Sequence, residues 1–225
     1  MATYDGRVPL TETSRPLVLV AASGLARETA LAARSAGHQV LGALDDDSSL
    51  ANREISAGLT VIGPIEAASS YARAMFVVCA GKGAVRAAIV ARLAELGIGQ
   101  DRYATVVHPS VSPPPDPVPG LGPGSVLLAG VVLTADVSVG AHVVCMPSVV
   151  LTHDCRLEDY ATLCAGVVLG GSVTVGREAY VGMSSSVREG RTIGAGSVVG
   201  MGSVVLADVP ARETWVGAPA RPLRV

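Results

Sequence analysis

Apolar side chains return at every sixth position between residues 121 and 209. The first places of successive hexads are Leu121, Leu127, Leu133, Val139, Cys145, Leu151, Leu157, Leu163, Leu169, Val175, Val181, Val187, Ile193, Val199 and Val205. The fifth places are small or β-branched, from Ser125 and Val131 through Cys155 and Ala161 to Ser203 and Val209; Arg191 alone breaks that column. A period of six suits neither a helix (3.6) nor an alternating strand (2.0). It predicts a parallel β-helix, in which each hexad supplies one short strand and one corner, and three hexads make a coil. Fifteen hexads make five coils. First and fifth places should point inward, and third and fourth places should lie at corners. Glycines at second places (Gly122, Gly140, Gly170, Gly176, Gly182, Gly194, Gly200) should relieve the backbone where it turns. Arg191, at an inward place, predicts a bulge or kink near Val187–Thr192.

The pattern before residue 105 is different. Strands are predicted at Leu17–Ala22, Gln39–Leu44, Leu59–Ile62 and Met75–Ala80. Helices are predicted over about Leu25–Ala36, closed by Gly37, and over Ala84–Leu96, closed by Gly97. Strands alternating with helices predict a Rossmann-like α/β domain with a parallel sheet over residues 15–104. Residues 1–14 show no periodicity and read as a flexible arm. Residues 105–120, with five prolines from Pro113 to Pro119, read as a semi-rigid linker; 121–209 is the β-helix and 210–225 a tail.

Composition narrows the partners. A net charge of −2 with no basic run argues against nucleic acid and anionic membranes. Four cysteines (Cys79, Cys145, Cys155, Cys164) form no CxxC pair; two of them fall on inward places, as small core side chains in a reducing compartment. The run Leu17–Ala22 is too short for a signal-peptide core. The expected location is cytoplasmic.

Two stretches carry candidate chemistry. The carboxyl ends of the first two strands bear Ser23–Gly24 and Asp45, Asp46 and Asp47, where folds of this kind bind ligands. The first loop could cradle a phosphate at a helix start, but Gly24 is its only glycine and there is no GxGxxG. A dinucleotide cofactor is therefore disfavoured. Gly24 could equally serve only the turn, and the aspartates only a solvated loop. Of the four histidines, His38 and His108 sit at junctions and read as structural. His142 and His153 should both face outward from corners, and His153 is followed by Asp154, a carboxylate able to hold its imidazole.

With VAASG at Val20–Gly24, LDDD at Leu44–Asp47, HPS at His108–Ser110, THDC at Thr152–Cys155 and VGAPAR at Val216–Arg221, the chain resembles the hexapeptide-repeat sugar O- and N-acetyltransferases of the sialic acid O-acetyltransferase and UDP-4-amino-sugar N-acetyltransferase type. The resemblance implies a left-handed helix, against the usual crossover hand, and a homotrimer with acetyl-CoA in the groove between neighbouring β-helices. It implies transfer of acetyl to a sugar, nucleotide-linked, with no metal. It implies that His153 is the general base, tuned by Asp154. It places coenzyme contacts at Thr162, Gly171, Met183 and Met201, and the acceptor at Ser23, Gly24, Asp45 and Asp46. One departure is Leu25, which stands where the aminosugar N-acetyltransferases often carry a histidine; this leaves acceptor identity, and N- versus O-transfer, open. Two rival readings remain: a non-catalytic β-helix scaffold, and a metal-dependent γ-carbonic-anhydrase-like enzyme, which would need three histidines brought together.

Overall fold

In the computed structural model of the protein the described residues are 15–112 and 120–223. The expected arm, 1–14, and the proline run, 113–119, lie outside them.

The N-terminal domain is a five-stranded sheet: β1 (Leu17–Val20), β2 (Val40–Leu44), β3 (Glu54–Ser56), β4 (Leu59–Gly63) and β5 (Met75–Val78), in spatial order β3-β4-β2-β1-β5. All pairings are parallel except β3 with β4. The interior strand β1 is Leu-Val-Leu-Val and fully buried, as a strand covered on both faces must be. Helices α1 (Gly24–Ser35) and α2 (Gly83–Glu95) complete it. The antiparallel edge strand β3 escapes the sequence reading because it is three residues long and only half-buried.

From Val126–Leu127 to Val204–Val205 a two-residue strand recurs every sixth residue. These strands stack into three parallel sheets in which each residue pairs with the one eighteen further on, as Val144 with Thr162 and Leu151 with Leu169. Leu127, Cys145, Leu163, Val181 and Val199 form one inward column of a continuous core, and the fifth places Val131, Val149, Cys155, Ala161, Val167 and Val173 join it.

The glycines do not act where expected. Every fourth-place residue from Gly124 to Gly202 has φ between 55° and 73°, including non-glycines such as His142, Asp154, Tyr160 and Glu178. The left-handed turn is therefore at the fourth place. Second-place glycines allow close approach instead: a Cβ on Gly182 would stand 2.6 Å from the Met201 amide nitrogen of the next coil. No kink forms at Arg191. The flanking strands keep their register, Thr174 with Thr192 and Ser186 with Val204, and the half-exposed guanidinium reaches Asp208 at 3.5 Å.

Residues 105–112, expected to be linker, belong to the β-helix. Val106–Val107 forms strand β6, which pairs in parallel with Val126–Leu127, and Val111 enters the β-helix core. The chain joins the barrel as soon as it leaves the sheet, because Ala104 donates to the Phe76 carbonyl and Thr105 to that of Gly122. Helix α1 packs Leu25, Ala26, Ala30 and Ala33 into a cluster shared with Val126, Leu128 and Val144. One face of the β-helix is thus covered by the N-terminal domain.

Candidate active site

His153 and Asp154 occupy the third and fourth places of the corner after the Val150–Leu151 strand. The left-handed backbone of Asp154 (φ 62°) turns its side chain back along the corner. Its Oδ2 lies 2.7 Å from His153 Nδ1. A carboxylate only accepts, so Nδ1 carries the proton that faces Asp154, and in the neutral imidazole Nε2 is the acceptor. Both side chains are more than half exposed. Thr152 tightens the corner by donating from Oγ1 to the Leu169 carbonyl at 2.8 Å.

One coil on, the Ser172 amide donates to the His153 carbonyl at 2.8 Å, and the imidazole lies directly over Gly171. Any side chain at Gly171 would collide with the ring's Cε1 and Nε2. This glycine therefore leaves room for the ring to lie against the next coil.

Met183 and Met201 stack at a second corner, where the Gly202 amide donates to the Met183 carbonyl at 2.8 Å. They are 48 % and 72 % exposed, and Val198, Val204 and Leu206, on or next to the strands before and after the Met201 corner, are exposed as well. Within one chain this corner and the His153 corner point in different directions.

Thr162 is a correction. It is fully buried beneath α2, its hydroxyl donating to the Gly81 carbonyl at 3.0 Å and accepting from Arg86 at 2.9 Å. The N-terminal domain covers this face, so Thr162 cannot line a coenzyme groove. His142 is a second correction. Expected to face outward, it is 1 % exposed, stacked on Tyr160 at 5.1 Å and met edge-on by Tyr103 at 4.7 Å. Burial, aided by the charge of Arg86, pushes its pKa down to about 4. His142 and His153 lie on different corners, and His142, buried under the N-terminal domain, is not presented to a histidine cluster of the γ-carbonic-anhydrase kind. Among the described residues no group of three or more His, Cys, Asp or Glu side chains could hold a metal ion.

At the carboxyl ends of β1, β2 and β5 the predicted residues do converge. Ser23 caps α1, accepting from the Ala26 amide at 3.4 Å and donating to the Cys79 carbonyl at 2.5 Å. Asp45 accepts from the amides of Ala22 (2.7 Å) and Asp47 (2.9 Å), stitching two loops together. Asp46 accepts from the Ile65 amide at 3.0 Å and pairs with Arg92, which also binds Glu66; the Arg92 hydrogen bond holds its carboxyl below the usual range. The strained residue of the first loop is Ala21 (φ 75°), and Gly24 has an ordinary helical backbone. These aspartates build the crevice walls through backbone contacts more than they offer free oxygens.

Sequence reasoning missed the loop opposite, after β5. Lys82, the chain's only lysine, is the exposed N-cap of α2 between Gly81 and Gly83, and Arg86 is buried behind it. Two glycines around a lysine at a strand end were a legible signal. Leu25 is buried against the β-helix and projects nothing into the crevice. A cavity of about 520 Å³, lined by His38, Met75 and Tyr103 among others, opens at the amino ends of the strands, away from this chemistry.

No protein-family model and no curated protein sequence matches the chain. Solved structures do. A histidine-to-asparagine variant of perosamine N-acetyltransferase from Caulobacter crescentus, in complex with CoA and GDP-perosamine, superposes with a TM-score of 0.83 at 27 % identity, covering 93 % of this chain and 97 % of that one. The acetyltransferase domain of PglB from Neisseria gonorrhoeae, in complex with acetyl coenzyme A, gives 0.82 at 28 %, covering 93 % and 99 %. WeeI from Acinetobacter baumannii gives 0.79 at 25 %, covering 92 % and 99 %. In its α/β domain, its left-handed β-helix and its near full-length superposition, the chain is similar to the hexapeptide-repeat sugar acetyltransferases.

Proposed function

We propose that the protein transfers an acetyl group from acetyl-CoA to an amino or hydroxyl group of a nucleotide-linked sugar, by direct attack with His153 as general base. The observation that carries this is the Nδ1–Asp154 contact of 2.7 Å, which in the neutral imidazole leaves Nε2 as the basic nitrogen, on an exposed corner beside Gly171. As the acceptor nitrogen or oxygen bonds to the thioester carbonyl carbon, Nε2 takes its proton. The tetrahedral intermediate expels the CoA thiolate, to which the imidazolium returns that proton. Asp154 stabilises the imidazolium meanwhile. The perosamine N-acetyltransferase binds CoA and GDP-perosamine together, which supports a ternary complex and favours an amine acceptor.

The coenzyme would lie between the His153 corner of one subunit, including Gly171, and the Met183–Met201 corner of a neighbour in a homotrimer. The acceptor's nucleotide would occupy the crevice at Ser23, Gly24, Asp45 and Asp46. Four buried, free cysteines fit a reducing, cytoplasmic setting, and no helix among the described residues is long and apolar enough to cross a membrane. The test is a panel of amino- and hydroxy-sugar nucleotides with acetyl-CoA, read by release of free thiol. Release with at least one of them, abolished in His153→Ala, is expected. No release with any would overturn the acceptor assignment.

A further inference from the structure

Arg86 stands in the first turn of α2, fully buried. All five of its N–H groups are used, and every acceptor is a neutral oxygen. Nε donates to the His142 carbonyl at 2.9 Å, and Nη1 to those of Ala80 (2.8 Å) and Gly81 (3.1 Å). Nη2 reaches the carbonyls of Tyr160 (2.7 Å) and Ala161 (3.0 Å) and the hydroxyl of Thr162 (2.9 Å). Among the described residues no carboxylate pairs with it. A cation in a helix's first turn opposes the helix dipole, and a buried charge without a counter-ion is costly. Burial lowers its pKa only to about 10, so it stays charged at neutral pH.

An aliphatic side chain would fill such a site without either penalty. The guanidinium supplies instead a rigid fork that ties three separated segments together. They are the loop after β5, which Ser23 also holds through the Cys79 carbonyl, and one corner of the β-helix on two successive coils. Gly83 completes the joint: any Cβ there would strike the Tyr160 carbonyl.

We propose that Arg86 is a positioning residue that pins the Ala80–Gly83 loop, one wall of the crevice, to the β-helix and so presets the crevice for the acceptor's nucleotide. The link to the acceptor rests on the function proposed above; the pinning of the loop does not. Two substitutions test it. Arg86→Lys keeps the charge but can reach only half of the six acceptors. Thr162→Val removes the hydroxyl bridge between Arg86 and Gly81 at nearly constant volume, and serves if Arg86→Lys fails to fold.

Amide hydrogen exchange of residues 79–84 should quicken by ~10-fold or more in the folded variant, with the Val150–Leu151 and Val168–Leu169 strands unchanged. Unchanged loop exchange in a folded variant overturns the proposal whatever the enzyme does. In calorimetric titrations with UDP and with GDP, whichever the wild type binds should bind ~10-fold more weakly to the variant, with CoA affinity held within about twofold. Equal weakening of nucleotide and CoA would signify general loosening and would refute a role in presetting the crevice. A wild type that binds neither UDP nor GDP refutes the acceptor reading alone, while the exchange measurement still decides the role of Arg86.

Discussion

Two histidines in similar corner positions meet opposite fates, and the difference lies in what covers them. His153 stands on an uncovered corner with Asp154 beside it. Replacing it by alanine removes no core contact, so the fold should hold within ~0.5 kcal/mol and acetyl-CoA should still bind. Turnover should fall by ~10²–10⁴-fold. A folded His153→Ala that acetylates at near wild-type rate would refute its role as base. Gly171→Ala should also lower turnover, because the ring has to leave its place above Gly171, and a crystal structure would show the displaced imidazole.

His142, packed between Tyr103 and Tyr160 and facing Arg86 and Asp159, has its pKa lowered to about 4. Between that value and the ordinary ~6.5 the unfolded chain binds a proton that the folded chain does not, so stability falls as pH drops through this window. The difference amounts to on the order of 3 kcal/mol. His142→Asn, which tolerates the left-handed backbone, should flatten the acid limb of stability measured by denaturant unfolding from pH 7 to 4. An acid limb as steep as the wild type's would show that His142 does not cause it.

At the level of elements, the repeat divides labour among the six places. Leu151→Ala, two residues before His153, empties an inward place and should cost ~2–5 kcal/mol in denaturant unfolding. Glu178→Gly, at a fourth place with φ 60°, should be neutral or stabilising, because glycine adopts that backbone without strain. Gly182→Ala should destabilise, since its Cβ meets backbone that cannot yield. The reverse order for the last two would contradict the assignment of the left-handed turn to the fourth place. The break at Arg191 does not distort its strand, because its long side chain carries the charge out to Asp208.

For the whole molecule, the proposed trimer would cover the exposed apolar side chains of Met183, Met201, Val198, Val204 and Leu206. Sedimentation should give three times the monomer mass, and Val204→Lys should shift it toward monomer with loss of activity. A wild type that is monomeric and fully active would exclude an intersubunit coenzyme groove.

The six-residue period, by itself, determined the β-helix, its inward columns and the corner position of His153, because a stacked coil repeats its environment and leaves that repetition in the chain. Alternating strands and helices likewise determined the N-terminal sheet, and Thr-His-Asp-Cys was legible as a candidate site because its two chemical residues are adjacent. Which corners stay open was decided only by the tertiary structure. Docking the α/β domain on one face buried His142 and Thr162, left His153 free, and made a joint of Arg86, whose acceptors lie up to 76 residues away. Those contacts join segments with no shared period, so no local pattern could have announced them.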